Sequence, residues 1–148
     1  MLRKILFFKF APEHKDLALL VLRLITAISI FLRHGVEKLF DYQGMLATIT
    51  GRNHYIHWLG AGPTFMWETF SDGILTILLA IGLATRWSAL LCFCTLAVAW
   101  SAVLGFPYFT GTSATHGEMT IAYMIALLAL VCSGGGRYSI DALLDREA

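Results

Sequence analysis

Charge is in short supply in this sequence. Lys, Arg, Asp and Glu make up 14% of the 148 residues, whereas an ordinary soluble domain carries about 25%. The formal net charge is +1, so there is no basic field to draw in a nucleic acid or another polyanion. Cysteine is sparse as well. Cys92, Cys94 and Cys132 all lie inside apolar runs, and an odd count without paired spacing gives no disulfide framework. No CxxC or CxxCH segment occurs, which leaves a dithiol redox motif and covalent haem attachment without sequence support.

Apolar residues are abundant instead, at 57% with a mean hydropathy of +0.69. A soluble domain of this length cannot hide so much apolar surface, because a small body leaves much of its chain facing solvent. The composition therefore points to one compact unit, residues 1–148, in a lipid bilayer.

Four apolar spans follow a basic lead-in. Residues 1–16 carry Arg3, Lys4, Lys9 and Lys15 around the short apolar patch Ile5–Phe8, which falls short of a signal-peptide core of about 7–15 residues. Pro12, Glu13 and Asp16 read as a helix start, since Pro suits a first turn and acids suit the positive helix end. The spans run over about 17–34, 65–85, 87–105 and 117–133. The third contains no charge, and Phe106-Pro107 ends it. Gly134-Gly135-Gly136 ends the fourth. Crossing the hydrocarbon core takes about 20 apolar residues in a helix. The expected fold class is therefore all-α, an integral membrane bundle of four transmembrane helices. Soluble bundle helices would show a polar face, and the third span has none.

Four crossings put both termini on one side. That side collects Arg3, Lys4, Lys9, Lys15, Arg86, Arg137 and Arg146, and the other has Arg33, Lys38 and Arg52. The positive-inside rule makes both termini cytoplasmic in a multi-pass protein of the cell membrane. The outer loop 40–64 contains Ile49, Ile56 and Leu59, enough for a short interfacial helix. Tyr42, Tyr55, Trp58 and Trp67 suit a membrane-interface belt.

Any chemistry must sit on the few ionisable groups within or beside the spans. Arg23 lies seven residues into the first, where a charge is expensive and normally faces the bundle interior with a partner. His34 follows eleven residues later, nearly three full turns, so an uninterrupted helix puts both on one face, with Glu37 and Lys38 roughly continuing it. Asp72 is the natural partner for Arg23, and Glu68 and Thr76 flank it four residues away on either side. Glu118 opens the fourth span, where the helix dipole also favours an acid. The candidate cluster is Arg23, His34, Lys38, Asp72 and Glu118, with Glu37, Glu68 and Thr76 as secondary members.

Small residues at helical spacing read as packing surface: Ser88, Cys92, Thr95, Ala99 and Ala102 in the third span, and Ala122, Ala126 and Ala129 in the fourth. Cys92 and Cys94 point to different faces and cannot form a helical dithiol. His54 and His57 read as interfacial loop histidines rather than metal ligands, since no Cys or acid stands close by. No metal, haem or flavin motif is visible.

Three motifs give the chain a resemblance to the DoxX family of small four-helix membrane proteins. The first is Leu22-Arg23 followed by His34-Gly35-Val36-Glu37-Lys38-Leu39. The second is Asp72 followed by Ile81-Gly82-Leu83-Ala84-Thr85-Arg86. The third is Gly134-Gly135-Gly136-Arg137-Tyr138-Ser139-Ile140-Asp141. The resemblance covers most of 17–144, apart from the first outer loop. Two positions depart from the family's pattern: Asp72 stands where the family has Glu, and Leu75-Thr76 where it has paired glycines. The resemblance implies that Arg23, His34, Lys38, Asp72 and Glu118 occupy the family's polar positions. It also implies a small subunit or accessory of a redox system in the bacterial inner membrane, quinone-linked and tied to sulfur, thiol or oxidative-stress metabolism. Under that reading the chain is part of an oxidoreductase, with a quinone as ligand. A protein partner in a membrane complex, or further copies of the chain, complete the assembly. A non-catalytic membrane anchor or assembly module is the alternative, and a small-solute transporter the weaker one.

Overall fold

The computed structural model describes residues 14–103 and 114–147, with side chains for 14–101 and 117–146. Residues 1–13 of the basic lead-in and most of the expected loop after the third span lie outside the described residues.

Six helices make up the described chain. The first, α1 (15–40), joins Lys15–Ile30 and Val36–Phe40 through a π-helical turn at Phe31–Gly35. α2 is Tyr42–Gly51. α3, Ala61–Ile81, carries a π turn at Phe70–Leu75. α4 (85–103) ends in a third π turn at Ala99–Val103. α5 is Ala114–Ser133 and α6 is Ile140–Glu147. The first apolar helix thus continues past His34 to Phe40, and α3 stops at Ile81 rather than near residue 85. α5 begins at Ala114, ahead of the expected 117, and sequence periodicity gives no sign of the short, charge-rich α6.

The core draws on four of these helices. Ala27 and Ile30 of α1, Leu75 and Leu79 of α3, Ala89 and Cys92 of α4, and Leu127 and Leu130 of α5 form one buried cluster. In α4 the small stripe does face inward, with Ser88, Cys92 and Thr95 all buried. In α5 it does not. Ala122 and Ala129 are exposed, and the core positions are two leucines.

The π turn in α1 changes which side chains look inward. Arg23, Thr26, Ala27 and Ile30 are buried at ordinary helical spacing. The next buried positions are Gly35 and Lys38, five and eight residues beyond Ile30. One extra residue in the turn moves the inward stripe on by one position. His34, placed on Arg23's face by uninterrupted periodicity, is exposed in consequence, and Lys38 is turned inward. Gly35 is required here, because a Cβ at this position would collide with the backbone carbonyl oxygen of Asp72.

The exterior reverses the pattern of a soluble protein. Val21, Ile25, Ile28 and Leu32 of α1, Ile74 and Ile77 of α3, and Ile125 and Leu128 of α5 are all exposed, while Arg23 and Lys38 are buried. Ala61–Ile81 is the one described helix long and apolar enough to cross a membrane by length and composition, and Gly117–Ser133 is a shorter apolar segment.

Candidate functional site

Arg23 and Asp72 do not pair. Each belongs to a different polar centre, one near each end of the bundle.

Arg23 sits where α1 passes the α3–α4 turn and the segment after α5. It is 1% exposed. Its Nη1 donates to the Gly135 carbonyl at 2.8 Å and its Nη2 to the Tyr138 carbonyl at 3.0 Å. Gly82 caps α3 in a left-handed conformation (φ 77°), and a side chain there would meet the Arg23 guanidinium. Across this turn, Asp141 accepts hydrogen bonds from the backbone N–H groups of Ala84 at 2.6 Å and Thr85 at 2.8 Å. Its own N–H donates to the Gly82 carbonyl at 3.0 Å. Asp141 therefore caps α4 from the far end of the chain. Partial burial pushes its carboxyl pKa up, but the hydrogen bonds from Thr85 and Ala84 and the positive charge of Arg23 outweigh that, holding it below the usual aspartate value. Asp16, in the first turn of α1, accepts from the Arg137 N–H at 2.9 Å. Arg23, the Gly82–Thr85 turn and the Gly134–Asp141 segment thus form a single clasp. Charge-assisted hydrogen bonds of this kind contribute about 1.5–3 kcal/mol each.

The second centre lies toward the other end of α1 and α3. Lys38 Nζ is 2.7 Å from Asp72 Oδ2 and 3.0 Å from Glu68 Oε2, and the ammonium lies 5.9 Å from the Phe65 ring centroid. Lys38 and Asp72 are each 8% exposed. Thr76 is buried beneath, its hydroxyl bonded to the carbonyls of Asp72 and Gly73 at 2.6 and 2.9 Å. An ammonium has three donors. Carboxylates take two of Lys38's, and no described residue accepts the third.

A cavity of about 170 Å³ opens beside this triad. Lys38, Glu68 and Asp72 form its polar wall, Leu96, Ala99 and Met119 part of its apolar one, and Arg33, His34 and Tyr123 line it where it meets an open outer cleft. A second, apolar cavity of about 150 Å³ shares Glu68, Thr95 and Ala99 with the first. Trp67 Nε1 donates to Thr95 Oγ1 at 2.9 Å within the shared wall.

Of the candidates read from the sequence, the structure brings Lys38, Asp72 and Glu68 together, with His34 exposed on the same cavity. Glu37 is exposed and lines the outer cleft rather than the cavity. Thr76 touches Asp72 but does not line the space. Glu118 is exposed and does not line the cavity, to which α5 contributes Met119, Thr120 and Tyr123. Arg23 belongs to the clasp. His54 and His57 are exposed on the segment after α2. The sequence singles out Arg33 only for its charge, Thr95 for packing and Trp67 for the interface, and not Tyr123; their place at the cavities escapes it, because nothing in a single helix pattern says which side chain meets another helix.

No curated protein matches the chain, and no solved structure does. The DoxX family model matches residues 18–105. That stretch is more than half of the chain and holds Arg23, the whole Lys38–Glu68–Asp72 triad and the α3–α4 turn, while the glycine-rich segment at 134–141 lies beyond it. On this match the chain belongs to the DoxX family and is a membrane protein.

Proposed function

We propose that this protein is a small subunit of a membrane redox system, holding a quinone-like molecule in the cavity beside Lys38, Glu68 and Asp72. α1, α3, α4 and α5 cross the bilayer, both termini are cytoplasmic, the clasp lies at the cytoplasmic end and the triad in the outward half. The exposed belt of isoleucines and leucines supports the crossing, since such residues are at home against acyl chains while charged groups turn inward. Exposed Trp58 and Phe40 near the triad end and Trp87 near the clasp end suit the two interfaces.

The single observation that carries the ligand reading is a buried ammonium, one donor unmatched among the described residues, on the wall of a cavity that is otherwise largely apolar. About 150 Å³ accommodates a benzene-sized ring. A ring carbonyl would accept from Lys38, and the two carboxylates are the groups placed to exchange protons with a reduced ring. The chemistry proposed for this chain is binding and proton handling, with a protein partner exchanging the electrons. The test is to purify the protein from its own membrane in mild detergent and extract its lipid-soluble molecules for mass spectrometry. A quinone retained at near-stoichiometric amounts by the wild type and lost in Lys38→Met supports the reading. Its absence from the wild type overturns it.

A second reading, a non-catalytic anchor for a soluble partner, draws on the clasp, whose function is wholly accounted for by holding three chain segments together. It requires the triad to be structural too. In that case, neutralising Lys38, Glu68 and Asp72 together would leave the activity of the partner complex intact.

A further inference from the structure

An apolar cavity of about 150 Å³ lies next to the triad. Its walls are Ile56 and Leu59 from the segment after α2, Trp67 from α3, and Cys94, Val98 and Ala99 from α4. It shares Glu68, Thr95 and Ala99 with the polar cavity, so the two spaces lie back to back across a thin wall. Three features make up that wall: the Glu68 side chain, tied to Lys38; the Trp67–Thr95 hydrogen bond; and the methyl group of Ala99. Ala99 also begins the π turn of α4. Each space alone takes about one ring or a short branched chain. Together they are polar at one end and nearly pure hydrocarbon at the other.

The apolar space borders the outer surface of the bundle. Cys94 is exposed, Val98 is 42% exposed and Trp67 43%. These three residues sit on the α3 and α4 surfaces that the bilayer reading places against acyl chains. We infer that the apolar cavity is the chain-binding half of a single bipartite site, open sideways to the membrane between α3 and α4. The matching ligand is a lipid-soluble molecule with a ring-sized head that accepts a hydrogen bond from Lys38 and an apolar chain attached to it. The head rests against the triad, the first part of the chain crosses the wall at Thr95 and Ala99, and the remainder leaves past Cys94 and Val98 into lipid. The Trp67–Thr95 bond must yield for the chain to pass, which makes Thr95 and Ala99 the residues that set how thick a chain is admitted.

This inference rests on the ligand reading above, and its test separates the two. The full-length protein in lipid nanodiscs is titrated with a decyl-substituted benzoquinone and with the same ring lacking the chain. Binding is read by quenching of tryptophan fluorescence. The discriminating variant is Cys94→Phe, which fills the apolar space from a position where a large apolar side chain is compatible with lipid. The decyl compound should bind the variant about tenfold more weakly than the wild type, the affinity of roughly two buried methylenes, while the chainless ring binds both equally. If the decyl compound binds wild type and variant alike, or the chainless ring is weakened as much, the bipartite site is refuted and the triad site stands. If the wild type binds neither compound, both readings fall.

Discussion

Removing the Lys38 ammonium should expose how much the triad contributes to folding. In Lys38→Met the side chain keeps its length and apolar body, but the carboxylates of Asp72 and Glu68, 2.7 and 3.0 Å from Nζ, lose their shared counter-charge. Asp72 is 8% exposed, so water reaching it through the adjoining cavity replaces the lost partner only in part. Breaking a buried ion pair by deleting one member costs about 3–5 kcal/mol. Deleting Glu68's charge instead leaves Lys38 paired with Asp72 and should cost about 1–3 kcal/mol, in the range of a lost partner for a buried polar group. The assay is thermal unfolding of the detergent-purified protein followed by helical circular dichroism. For a chain of this size the Lys38→Met loss corresponds to a fall in Tm of about 10 °C. Lys38→Met/Glu68→Gln/Asp72→Asn should regain most of that fall, because no unpaired charge remains. If instead the three substitutions add without recovery, the triad is not an energetic unit and the reasoning fails.

Further expectations concern the clasp and the helix crossing. Arg23→Leu leaves the Gly135 and Tyr138 carbonyls without their donor and should loosen the C-terminal segment, seen as faster tryptic cleavage after Arg137; Arg23→Lys should rescue only partly, since an ammonium lacks the planar fork that meets two carbonyls at once. Asp141 has a folded pKa below its ordinary value, so its contribution is fully present above the unfolded value of about 3.9 and is lost as pH falls through the folded one. Asp141→Asn should therefore be less stable than the wild type at neutral pH, and the gap should close on acidification below pH of about 4. A gap that stays constant down to the acid limit would contradict the capping role. Gly35→Ala pushes a methyl group against the Asp72 carbonyl and should destabilise the protein by about 1–3 kcal/mol, as overpacking does, while Gly51→Ala, which meets nothing within 4 Å, serves as the neutral control.

The amino-acid pattern conveys the apolar helices well and the polar geometry poorly, for identifiable reasons. Long charge-free runs such as that of α4 speak for themselves. The position of His34 relative to Arg23 does not, because that inference assumes an unbroken helical period. The π turn at Phe31–Gly35 inserts one residue and hands the inward position to Lys38. The Arg23–Asp72 pairing failed differently. A buried arginine demands acceptors, but backbone carbonyls satisfy it as well as a carboxylate does, and those of Gly135 and Tyr138 are invisible in residue types. The glycine-rich segment and the Gly82–Thr85 turn stand out as motifs, yet nothing in either announces that Asp141 caps α4 across more than fifty residues of chain. α6 escaped notice because eight residues, half of them charged, give no apolar run. The departure at Asp72, shorter than Glu by one methylene, is consistent with a site where Lys38 Nζ reaches two carboxylates at hydrogen-bond distance.

The proposed function gives the Lys38 centre the ligand and the Arg23 centre the fold. Its most direct measurement is a titration of decyl-benzoquinone into nanodiscs bearing the wild type, the charge-neutral Lys38→Met/Glu68→Gln/Asp72→Asn variant, or Arg23→Lys, each first shown to be helical and monodisperse. The wild type and Arg23→Lys should bind with similar affinity, and the charge-neutral variant should lose binding. Equal binding by the wild type and the charge-neutral variant would contradict it.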